Sequence, residues 1–201
     1  MIDRAVARQP LCPAVAEALA GGVDWVQIRE REIEATALLE LAEAVREAAA
    51  RGAAERPWSL IVNRRMDIAL ALGAQGVHLG FDALGPREAR ALLGKNALVG
   101  VSAHSPDEVG AAARAGASYA HLAPIFAPLS KPSSRPPLGP AAIAEAASHG
   151  IPILAQGGIR AEHCPELRAA GAAGVAVTGS ILAAEEPGRA ARELRRALDG
   201  A

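Results

Sequence analysis

Residues 76–105 of the chain, GVHLGFDALGPREARALLGKNALVGVSAHS, combine the patterns of two strands and one helix. Two short runs of apolar residues, Gly76–Leu79 and Leu98–Ala103, predict buried strands. The segment between them, Pro86–Leu93, predicts a helix, because a proline stands just inside its start and Gly94 follows its end. A strand, a helix and a second strand in this order form a unit with parallel strands covered by helices. The stretch therefore predicts a parallel α/β fold.

The same alternation of strand and helix patterns extends in both directions along the chain. Runs rich in Val, Ile and Leu predict five further strands, at residues 25–29, 59–63, 119–125, 151–156 and 174–177. Helical patterns lie before, between and after them, at residues 13–19, 36–51, 65–72, 106–115, 140–148, 161–170 and 187–198. Only residues 1–4 are left to supply a strand before the first helix. The sequence therefore predicts one domain, residues 1–201, with the α/β fold of a (β/α)8 TIM barrel rather than an open doubly wound sheet, and a truncated first strand.

The composition fits a globular chain and argues against several classes of protein. Apolar residues make up 51% and charged residues 21%, which excludes a disordered chain. The net charge of −1 argues against a basic nucleic-acid binder, and no apolar run reaches the about 18 residues of a membrane span. Two cysteines, Cys12 and Cys164, are too few for a disulfide framework. We therefore expect a cytoplasmic protein without nucleic-acid or membrane partners.

The carboxyl ends of the predicted strands carry many more cations than acids, although the chain as a whole is nearly neutral. In a TIM barrel these ends form the mouth, where the active site lies. An excess of cations there predicts an anionic ligand. We expect this ligand to contact the polar and cationic side chains near the strand ends, which are Gln27, Arg29, Arg31, Asn63, Ser102, Ser130 and Lys131.

Two of these cations also have simpler interpretations. Arg29 can bind a carboxylate or a phosphate, but it can equally form a structural ion pair with Glu30 or Asp3. Lys131 lies in a loop rich in Pro and Ser, PLSKPSSRPP at residues 128–137. A loop of this length is either a lid over the site or an ordinary surface excursion, so its lysine is either a ligand-binding group or a solvated side chain.

Two glycine-containing turns between a strand and a helix predict a phosphate site. Gly157 and Gly158 form the first turn, and Thr178, Gly179 and Ser180 form the next one along the chain. Glycine lets backbone N–H groups approach a phosphate closely, and the start of a helix adds partial positive charge. These positions correspond to the last two loops of a TIM barrel, which commonly bind phosphate. We therefore expect these residues to bind the phosphate group of the ligand.

Histidines supply the candidates for proton transfer. His104 ends a predicted strand beside Ser102 and can exchange protons near neutral pH. His121 and His78 lie within strands, where each is either an acid or base in the pocket or a hydrogen-bonded core residue. We take His104 and His121 as the candidate catalytic residues. No spacing of His, Cys and Asp resembles a zinc site, and no nucleophile motif occurs, so we expect neither a metal nor a covalent intermediate.

Several short motifs follow one another from about residue 12 to the C-terminus. They are VQIRER at 26–31, VN at 62–63 followed by DIAL at 67–70, GVHLG at 76–80, GVSAHS at 100–105, APIF at 123–126 with SK at 130–131, AQGGI at 155–159 and GVAV at 174–177. In this order and at this spacing, the motifs resemble the thiamine-phosphate synthase and TenI family. The resemblance implies a TIM barrel that binds a phosphorylated thiazole.

The family has two branches with different chemistry. The synthase joins hydroxymethylpyrimidine pyrophosphate to a thiazole phosphate in a dissociative, Mg²⁺-dependent reaction that releases pyrophosphate, whereas the TenI tautomerase moves a proton on a carboxylated thiazole phosphate. The synthase pattern has a Lys and two magnesium-binding Asp residues where this chain has Arg31, Arg64 and Ala83, with Asp82 one position early. A cation and a methyl group at the ligand positions oppose Mg²⁺ binding. The tautomerase pattern places its acid/base His where this chain has Pro124.

These differences favour a TenI-like thiazole tautomerase that works without a cofactor. In this interpretation the glycine turns hold the phosphate, Arg29 and Arg31 bind the substrate carboxylate, and His104 or His121 moves the proton. Two alternatives stay open. One is a thiamine-phosphate synthase with Mg²⁺, for which Lys131 retains the loop of that branch, and the other is a non-catalytic protein that binds a phosphorylated ligand. Exposed apolar helix faces further suggest a homodimer.

Overall fold

The computed structural model describes residues 1–30, 32–80, 83–127 and 135–200. Within these ranges, seven parallel strands form one sheet in which each strand is hydrogen-bonded to the next along the chain. The strands are β1 (Trp25–Ile28), β2 (Ser59–Asn63), β3 (Gly76–Leu79), β4 (Leu98–Ala103), β5 (Tyr119–Leu122), β6 (Ile153–Gln156) and β7 (Gly174–Ala176). The predicted parallel α/β fold and the predicted strand positions are therefore confirmed.

Helices precede, separate and follow the strands. They are α1 (Leu11–Ala20), α2 (Ala35–Ala53), α3 (Met66–Leu72), α4 (Pro86–Leu93), α5 (Pro106–Arg114), α6 (Ala141–Ala147), α7 (Cys164–Ala169), α8 (Gly179–Leu182) and α9 (Pro187–Asp199), with a 3₁₀ turn at Ala161–His163. Every predicted helix has a counterpart, whereas the four-residue α8 is not expected from the sequence. In the described part of the chain, none of the helices has both the length and the apolar character that crossing a membrane requires.

Proline accounts for the two largest differences between the predicted and the observed ends of strands. β5 ends at Leu122, earlier than predicted, because Pro124 has no N–H to donate to a neighbouring strand. β6 begins at Ile153, directly after Pro152, for the same reason. The predicted helix at residues 161–170 divides into the 3₁₀ turn and α7.

The hydrophobic core lies between the sheet and the helices. Strand residues such as Val77, Val99 and Ala120 are fully buried and belong to one cluster with helix residues such as Val45 and Ile143. Their small and branched side chains allow the helices to pack closely on the sheet, as the low aromatic content predicts. The other face of each strand points into the interior that the curved sheet encloses.

The sheet curves until its two edges approach each other. Trp25 on β1 and Tyr119 on β5 lie four strands apart along the sheet, yet their ring centroids are 5.0 Å apart across the inner face. In a flat sheet, with about 4.8 Å between neighbouring strands, the two rings could not meet. The fold is therefore TIM-barrel-like.

The predicted first strand is reduced to a single bridge, and the barrel is not closed. Ile2 pairs with Ile28, and its N–H donates to the carbonyl oxygen of Gln27 over 2.7 Å. On the other side, the amino group of Met1 donates to the carbonyl oxygen of Val177 over 2.7 Å, just after β7. The first strand is therefore truncated as predicted, but the predicted (β/α)8 barrel does not close, because one bridge cannot supply the two ladders of hydrogen bonds that closure requires.

The region where Met1 and Ile2 meet β1 and β7 is termed the seam. A cavity of about 880 Å³ opens there. Its lining is mostly apolar and includes Trp25, Tyr119 and Leu194, together with residues 172–174, which lie at the start of β7. The cavity therefore extends from the amino-terminal ends of the strands into the interior of the sheet, where Gln27 and His121 also line it.

Candidate functional site

Polar side chains from neighbouring strands meet on the inner face of the sheet, toward its carboxyl-terminal end. They are Gln27 on β1, Asn63 on β2, His78 on β3, Ser102 on β4, His121 on β5 and Gln156 on β6, and this set is termed the inner ring. Alternate residues of a strand point to opposite faces, so one residue from each strand reaches the interior at this level. The register pairs Asn63 with His78 and Ser102 with His121.

Gln27 and Asn63, two predicted ligand-binding residues, are joined in the inner ring. Nε2 of Gln27 donates a hydrogen bond to Oδ1 of Asn63 over 3.2 Å, and both side chains are buried. The bond satisfies a donor and an acceptor that would be costly to bury without partners. The two residues therefore lie where sequence analysis expects them, at the ends of adjacent strands.

His78 connects Ser102 to Tyr119 inside the sheet. Its Nε2 lies 3.0 Å from Oγ of Ser102, and its Nδ1 lies 3.3 Å from the Tyr119 hydroxyl. Burial, with a smaller effect from the charge of Arg29, lowers the pKa of His78 to about 3. Burial also raises the pKa of the Tyr119 phenol well above its usual value. Both groups are therefore neutral near pH 7.

His78 and Tyr119 are not among the site residues predicted from the sequence, although an acid or base role for His78 stays open there. Their positions relative to neighbouring strands could have identified them. His78 stands beside Asn63 in the strand register, and Gly100, two residues before Ser102, leaves the space that the Tyr119 ring fills. A Cβ on Gly100 would lie only 2.0 Å from Cζ of Tyr119.

His121, a predicted catalytic residue, is enclosed in the interior. Only 3% of its surface is exposed, and its Nδ1 lies 3.1 Å from Oε1 of Gln156. Its ring centroid is 4.1 Å from that of His78. Burial, followed by the neighbouring His78, lowers its pKa well below the usual value. His121 is therefore a neutral interior residue that donates to Gln156.

His104, the other predicted catalytic residue, lies between β4 and α5. Its Nδ1 is 2.5 Å from the carbonyl oxygen of Ala123, and its backbone N–H donates to Oε2 of Glu108 over 2.6 Å. A carbonyl oxygen can only accept, so Nδ1 carries a proton. The half-buried ring is thus anchored to the loop that follows β5.

The turn after β6 requires both of its glycines. Gly157 and Gly158 have φ angles of 95° and 64°, in the left-handed region that favours glycine. A Cβ on Gly157 would lie 2.8 Å from Cα of Pro124, and a Cβ on Gly158 would lie 2.3 Å from the carbonyl oxygen of Ala127. The turn therefore packs closely against the loop after β5 and has only backbone atoms to present.

A side-chain hydrogen bond joins the turn after β7 to the turn after β6. Oγ of Ser180 donates to the carbonyl oxygen of Ile159 over 2.6 Å. Gly179 and Ser180 follow Thr178 and form the first turn of α8, where backbone N–H groups lack partners within the helix. The two predicted phosphate-binding turns are therefore neighbours, as a single phosphate site requires.

Arg29, a predicted ligand-binding cation, forms an ion pair just after β1. Its Nη1 lies 3.6 Å from Oδ2 of Asp3, and the side chains are 27% and 17% exposed. Glu30 pairs instead with Arg4, with Nε and Oε1 3.3 Å apart. The structural pair between Arg29 and Asp3 that sequence analysis leaves open is therefore present. Arg29 is also close enough to His78 for its charge to lower that pKa.

Some candidates named from the sequence lie outside the described residues. They are Arg31, Asp82, Ser130 and Lys131. Their roles therefore stay predictions.

The described residues do not fit the magnesium site that the synthase branch implies. Across the part of the chain that the structure describes, no group of three or more His, Cys, Asp or Glu side chains could hold a metal ion. Magnesium prefers carboxylate oxygens, but Arg64 and Ala83 occupy the ligand positions. Arg64 also has a φ of 65°, which is uncommon for a residue other than glycine.

Comparison with solved structures defines the class of fold. The chain superposes on thiamine phosphate pyrophosphorylase from Pyrococcus furiosus with a TM-score of 0.87 and 27% identity, covering 98% of this chain and 93% of that one. It matches 3-hexulose-6-phosphate synthase with a TM-score of 0.70 and 23% identity, covering 93% of both chains, a likeness of fold alone. The chain therefore has a TIM-barrel-like α/β fold.

Sequence comparison then gives the family. Residues 1–181 match the profile of thiamine monophosphate synthase. The chain is 43% identical over 185 residues to thiamine-phosphate synthase from Chlorobium luteolum, covering 90% of this chain and 84% of that protein. It is 40% identical over 182 residues to thiamine-phosphate synthase from Chloroflexus aurantiacus, covering 90% of this chain and 82% of that protein. The chain therefore belongs to the thiamine monophosphate synthase family, and its predicted place in thiamine biosynthesis is confirmed.

Proposed function

We propose that the chain is a thiamine-phosphate synthase, the alternative that sequence analysis keeps beside the tautomerase. Two relatives at 43% and 40% identity are named thiamine-phosphate synthase, and the similar solved structure is named thiamine phosphate pyrophosphorylase. The comparisons do not distinguish the tautomerase branch. The structural observation that carries the proposal is the hydrogen bond from Ser180 to Ile159, which joins the turn after β7 to the turn after β6. We propose that the two turns together bind an anion.

In this proposal the mouth binds two phosphorylated substrates side by side. The turns after β6 and β7 bind the phosphate of the thiazole through backbone N–H groups. The pyrimidine pyrophosphate lies toward β1 to β4, where Gln27, Asn63 and Ser102 offer hydrogen bonds and Arg29 offers positive charge. Arg31, Ser130 and Lys131 are predicted to contact the pyrimidine pyrophosphate as well.

The chemistry consists of one bond broken and one bond formed. The bond between the pyrimidine methylene carbon and the pyrophosphate oxygen breaks, and pyrophosphate leaves with the electron pair. The thiazole nitrogen then bonds to that carbon, so thiamine phosphate and pyrophosphate are the products. Because both substrates are held in one site, the reaction does not have to wait for the two molecules to meet in the correct orientation in water. Positive charge from Arg29 and Arg64 stabilises the leaving group as its negative charge develops.

A thiazole tautomerase is the second candidate, and one observation favours it. Proton transfer needs no metal, and Arg64 and Ala83 stand where the synthase pattern has its magnesium-binding carboxylates. His104 is the better candidate for the proton carrier, because His121 is 3% exposed and hydrogen-bonded to Gln156. Loss of turnover in His104→Ala, but not in His121→Ala, is the result expected for a tautomerase of this kind.

Product analysis decides between the two candidates. The purified chain receives the pyrimidine pyrophosphate and the thiazole phosphate, with Mg²⁺ or with EDTA, and in a separate reaction it receives the carboxylated thiazole phosphate tautomer. Thiamine phosphate in the first reaction supports the synthase, and the aromatic thiazole in the second supports the tautomerase. No product in either reaction overturns both and leaves a non-catalytic binder of phosphorylated ligands.

A pair of glycine variants links the product to the proposed phosphate turns. Gly158 and Gly150 both have positive φ angles, of 64° and 79°. A Cβ on Gly158 would collide with Ala127, whereas a Cβ on Gly150 would have nothing within 4 Å. We expect Gly158→Ala to lower product formation about 100-fold by displacing the turn, and Gly150→Ala to keep it. Thermal unfolding of both variants controls for loss of fold.

A further inference from the structure

A chain of hydrogen bonds runs from the interior of the sheet toward its mouth through Tyr119, His78 and Ser102. The Tyr119 hydroxyl lies 3.3 Å from Nδ1 of His78, and Nε2 of the same ring lies 3.0 Å from Oγ of Ser102. Tyr119 and His78 are 2% and 3% exposed, whereas Ser102 is half-buried near the end of β4. None of the roles proposed above uses the buried Tyr119 and His78.

The packing around Tyr119 fixes the position of its hydroxyl. Gly100 provides the space for the ring, because a Cβ there would lie 2.0 Å from Cζ and 2.4 Å from the hydroxyl oxygen. Trp25 meets the ring edge-on, with 5.0 Å between centroids. The phenol is therefore held in one place by its neighbours, and the hydrogen bond to His78 is not the only contact that orients it.

The directions of these hydrogen bonds follow from counting donors. A neutral imidazole has one N–H, so His78 donates through one ring nitrogen and accepts through the other. If Tyr119 accepted from Nδ1, its own hydrogen would need a second acceptor, and His78 is its hydrogen-bond partner in the described ranges. A buried hydroxyl without an acceptor is costly. Tyr119 therefore donates to Nδ1, and Nε2–H donates to Ser102.

This arrangement determines what the Ser102 hydroxyl can do. Because its oxygen accepts from His78, its hydrogen is left to donate, and the described residues provide no other hydrogen-bond partner for it. We propose that Tyr119 and His78 are positioning residues that direct the hydroxyl hydrogen of Ser102 toward an anionic oxygen of a phosphorylated substrate. This inference rests on the function proposed above for the mouth.

The ring of His78 also has a neighbour besides its two hydrogen-bond partners. The ring of His121 lies 4.1 Å from it between centroids, and His121 is in turn hydrogen-bonded to Gln156. Arg29, just after β1, is close enough for its positive charge to act on His78. A proton on both ring nitrogens is thereby disfavoured, so one N–H and one lone pair are maintained. The Ser102 hydroxyl thus keeps the same direction before and after the substrate binds.

The first test identifies the tautomer of His78 and does not depend on activity. Two-bond ¹⁵N–¹H correlation spectra of the chain labelled with ¹⁵N-histidine distinguish protonated from unprotonated ring nitrogens. We expect His78 to carry its proton on Nε2 at pH 7, while His104, whose Nδ1 faces the carbonyl oxygen of Ala123, shows a protonated Nδ1. Tyr119→Phe is expected to shift His78 toward the Nδ1–H form. A wild-type His78 in the Nδ1–H form overturns the proposal.

The second test asks whether Tyr119 acts through Ser102. Dissociation constants for inorganic pyrophosphate are measured for wild type, Ser102→Ala, Tyr119→Phe and the double variant. We expect each single change to weaken binding about fivefold, and the double variant to bind no more weakly than Ser102→Ala. A general structural role would make the two effects multiply, so a loss of about 25-fold in the double variant contradicts the proposal.

The two tests separate this inference from the proposed function. If pyrophosphate does not bind to wild type although His78 has the expected tautomer, the function proposed for the mouth fails, and the hydrogen-bond chain stands without its ligand. If thiamine phosphate forms but Tyr119→Phe changes neither the tautomer nor pyrophosphate binding, the function stands and the positioning role fails.

Discussion

The inner face of the sheet differs between its fully paired strands and its seam. From β2 to β6 every strand has a neighbour on both sides, and these strands carry every member of the inner ring except Gln27. At the seam, β7 has three residues and Ile2 contributes a single bridge. The comparison teaches that the polar residues of the interior lie mainly where neighbouring strands fix their distances, because a half-satisfied polar network is more costly than an apolar interior.

The proposed site and the closure of the sheet therefore depend mainly on different parts of the molecule. The mouth requires the paired strands, whose register sets the hydrogen bonds of the inner ring. The seam requires only that the edges of the sheet stay together, and its cavity is lined mostly by apolar groups. Changes to the paired strands should consequently cost more stability, and more binding, than equivalent changes at the seam.

Gly100→Ala is expected to have the largest effect, because it changes the paired strands. The new Cβ would lie 2.0 Å from Cζ of the enclosed Tyr119. We expect the free energy of unfolding to fall by more than about 3 kcal/mol, at or beyond the upper end of overpacking effects. Gly174→Ala is the matched control on β7, since its Cβ would meet only the end of the Leu154 side chain at 3.2 Å. For Gly174→Ala we expect the free energy of unfolding, measured with urea, to fall by less than about 1 kcal/mol. Equal losses in the two variants would contradict the difference between the paired strands and the seam.

Acid should also destabilise the paired strands. The pKa of His78 is about 3 in the folded chain against 6.5 normally, and burial also lowers the pKa of His121. The unfolded chain binds these protons more readily, so the free energy of unfolding falls as the pH is lowered from 6.5 toward 3. For His78 alone the loss at pH 4 is about 3 kcal/mol. The amino group of Met1, with a pKa lowered to about 5 by burial, adds to the loss between pH 8 and 5.

Urea unfolding at pH 7 and pH 4 measures this loss. His78→Gln removes one of the titrating groups, so its stability should depend less on pH than that of wild type. An unchanged pH dependence in this variant would show that His78 is not buried as a neutral group.

Ile2→Ala tests the seam itself. Ile2 is 3% exposed and belongs to the main core cluster, although its backbone makes only one bridge. We expect a loss of about 2 kcal/mol, at the low end for this substitution, because a segment with a single bridge can move to fill the space that the side chain leaves. Ile153→Ala on β6, which is 1% exposed and belongs to the same core cluster, should cost about 4 kcal/mol in the same unfolding measurement. A larger loss for Ile2 than for Ile153 would contradict the expectation that changes at the seam cost less stability than changes in the paired strands.

The smallest effect is expected for Arg195→Ala at the outer side of the seam. Nη1 of Arg195 lies 2.8 Å from Oδ2 of Asp24 and so connects α9 to the segment before β1, but both side chains are well exposed. An exposed pair of this kind contributes at most about 1 kcal/mol, and less in high salt. Arg189→Ala, which removes an ion pair with Glu193 within α9, is the control. Thermal unfolding at low and high salt measures both, and a loss from Arg195 that salt does not reduce would point to packing instead.

The order of strands and helices could be predicted because its signals are local. The segments Pro86–Leu93 and Leu98–Ala103 have the predicted ends in the structure, since proline inside a helix start and glycine after its end act within a few residues. Closure of the barrel could not be predicted in the same way. It depends on how many residues before α1 pair with both edges, and Met1 and Ile2 provide one bridge and one terminal hydrogen bond.

The candidate site could be predicted only where a role depends on position along a strand. Gln27, Asn63 and Ser102 stand near strand ends, which the sequence reveals directly. The link between His78 and Tyr119 depends on how three strands are aligned, and no single segment contains that information. The family resemblance is confirmed. The roles of the loop residues outside the described ranges, the homodimer and the cytoplasmic location stay predictions.

Amide chemical shifts during a titration with thiazole phosphate test most directly the claim that the mouth, and not the cavity at the seam, binds the phosphorylated ligand. The ¹⁵N-labelled chain is titrated, and each backbone N–H is followed. The largest shifts are predicted at Gly157, Gly158, Gly179 and Ser180, with little change at residues 172–174. Large shifts at residues 172–174 with none in the two turns would contradict the account.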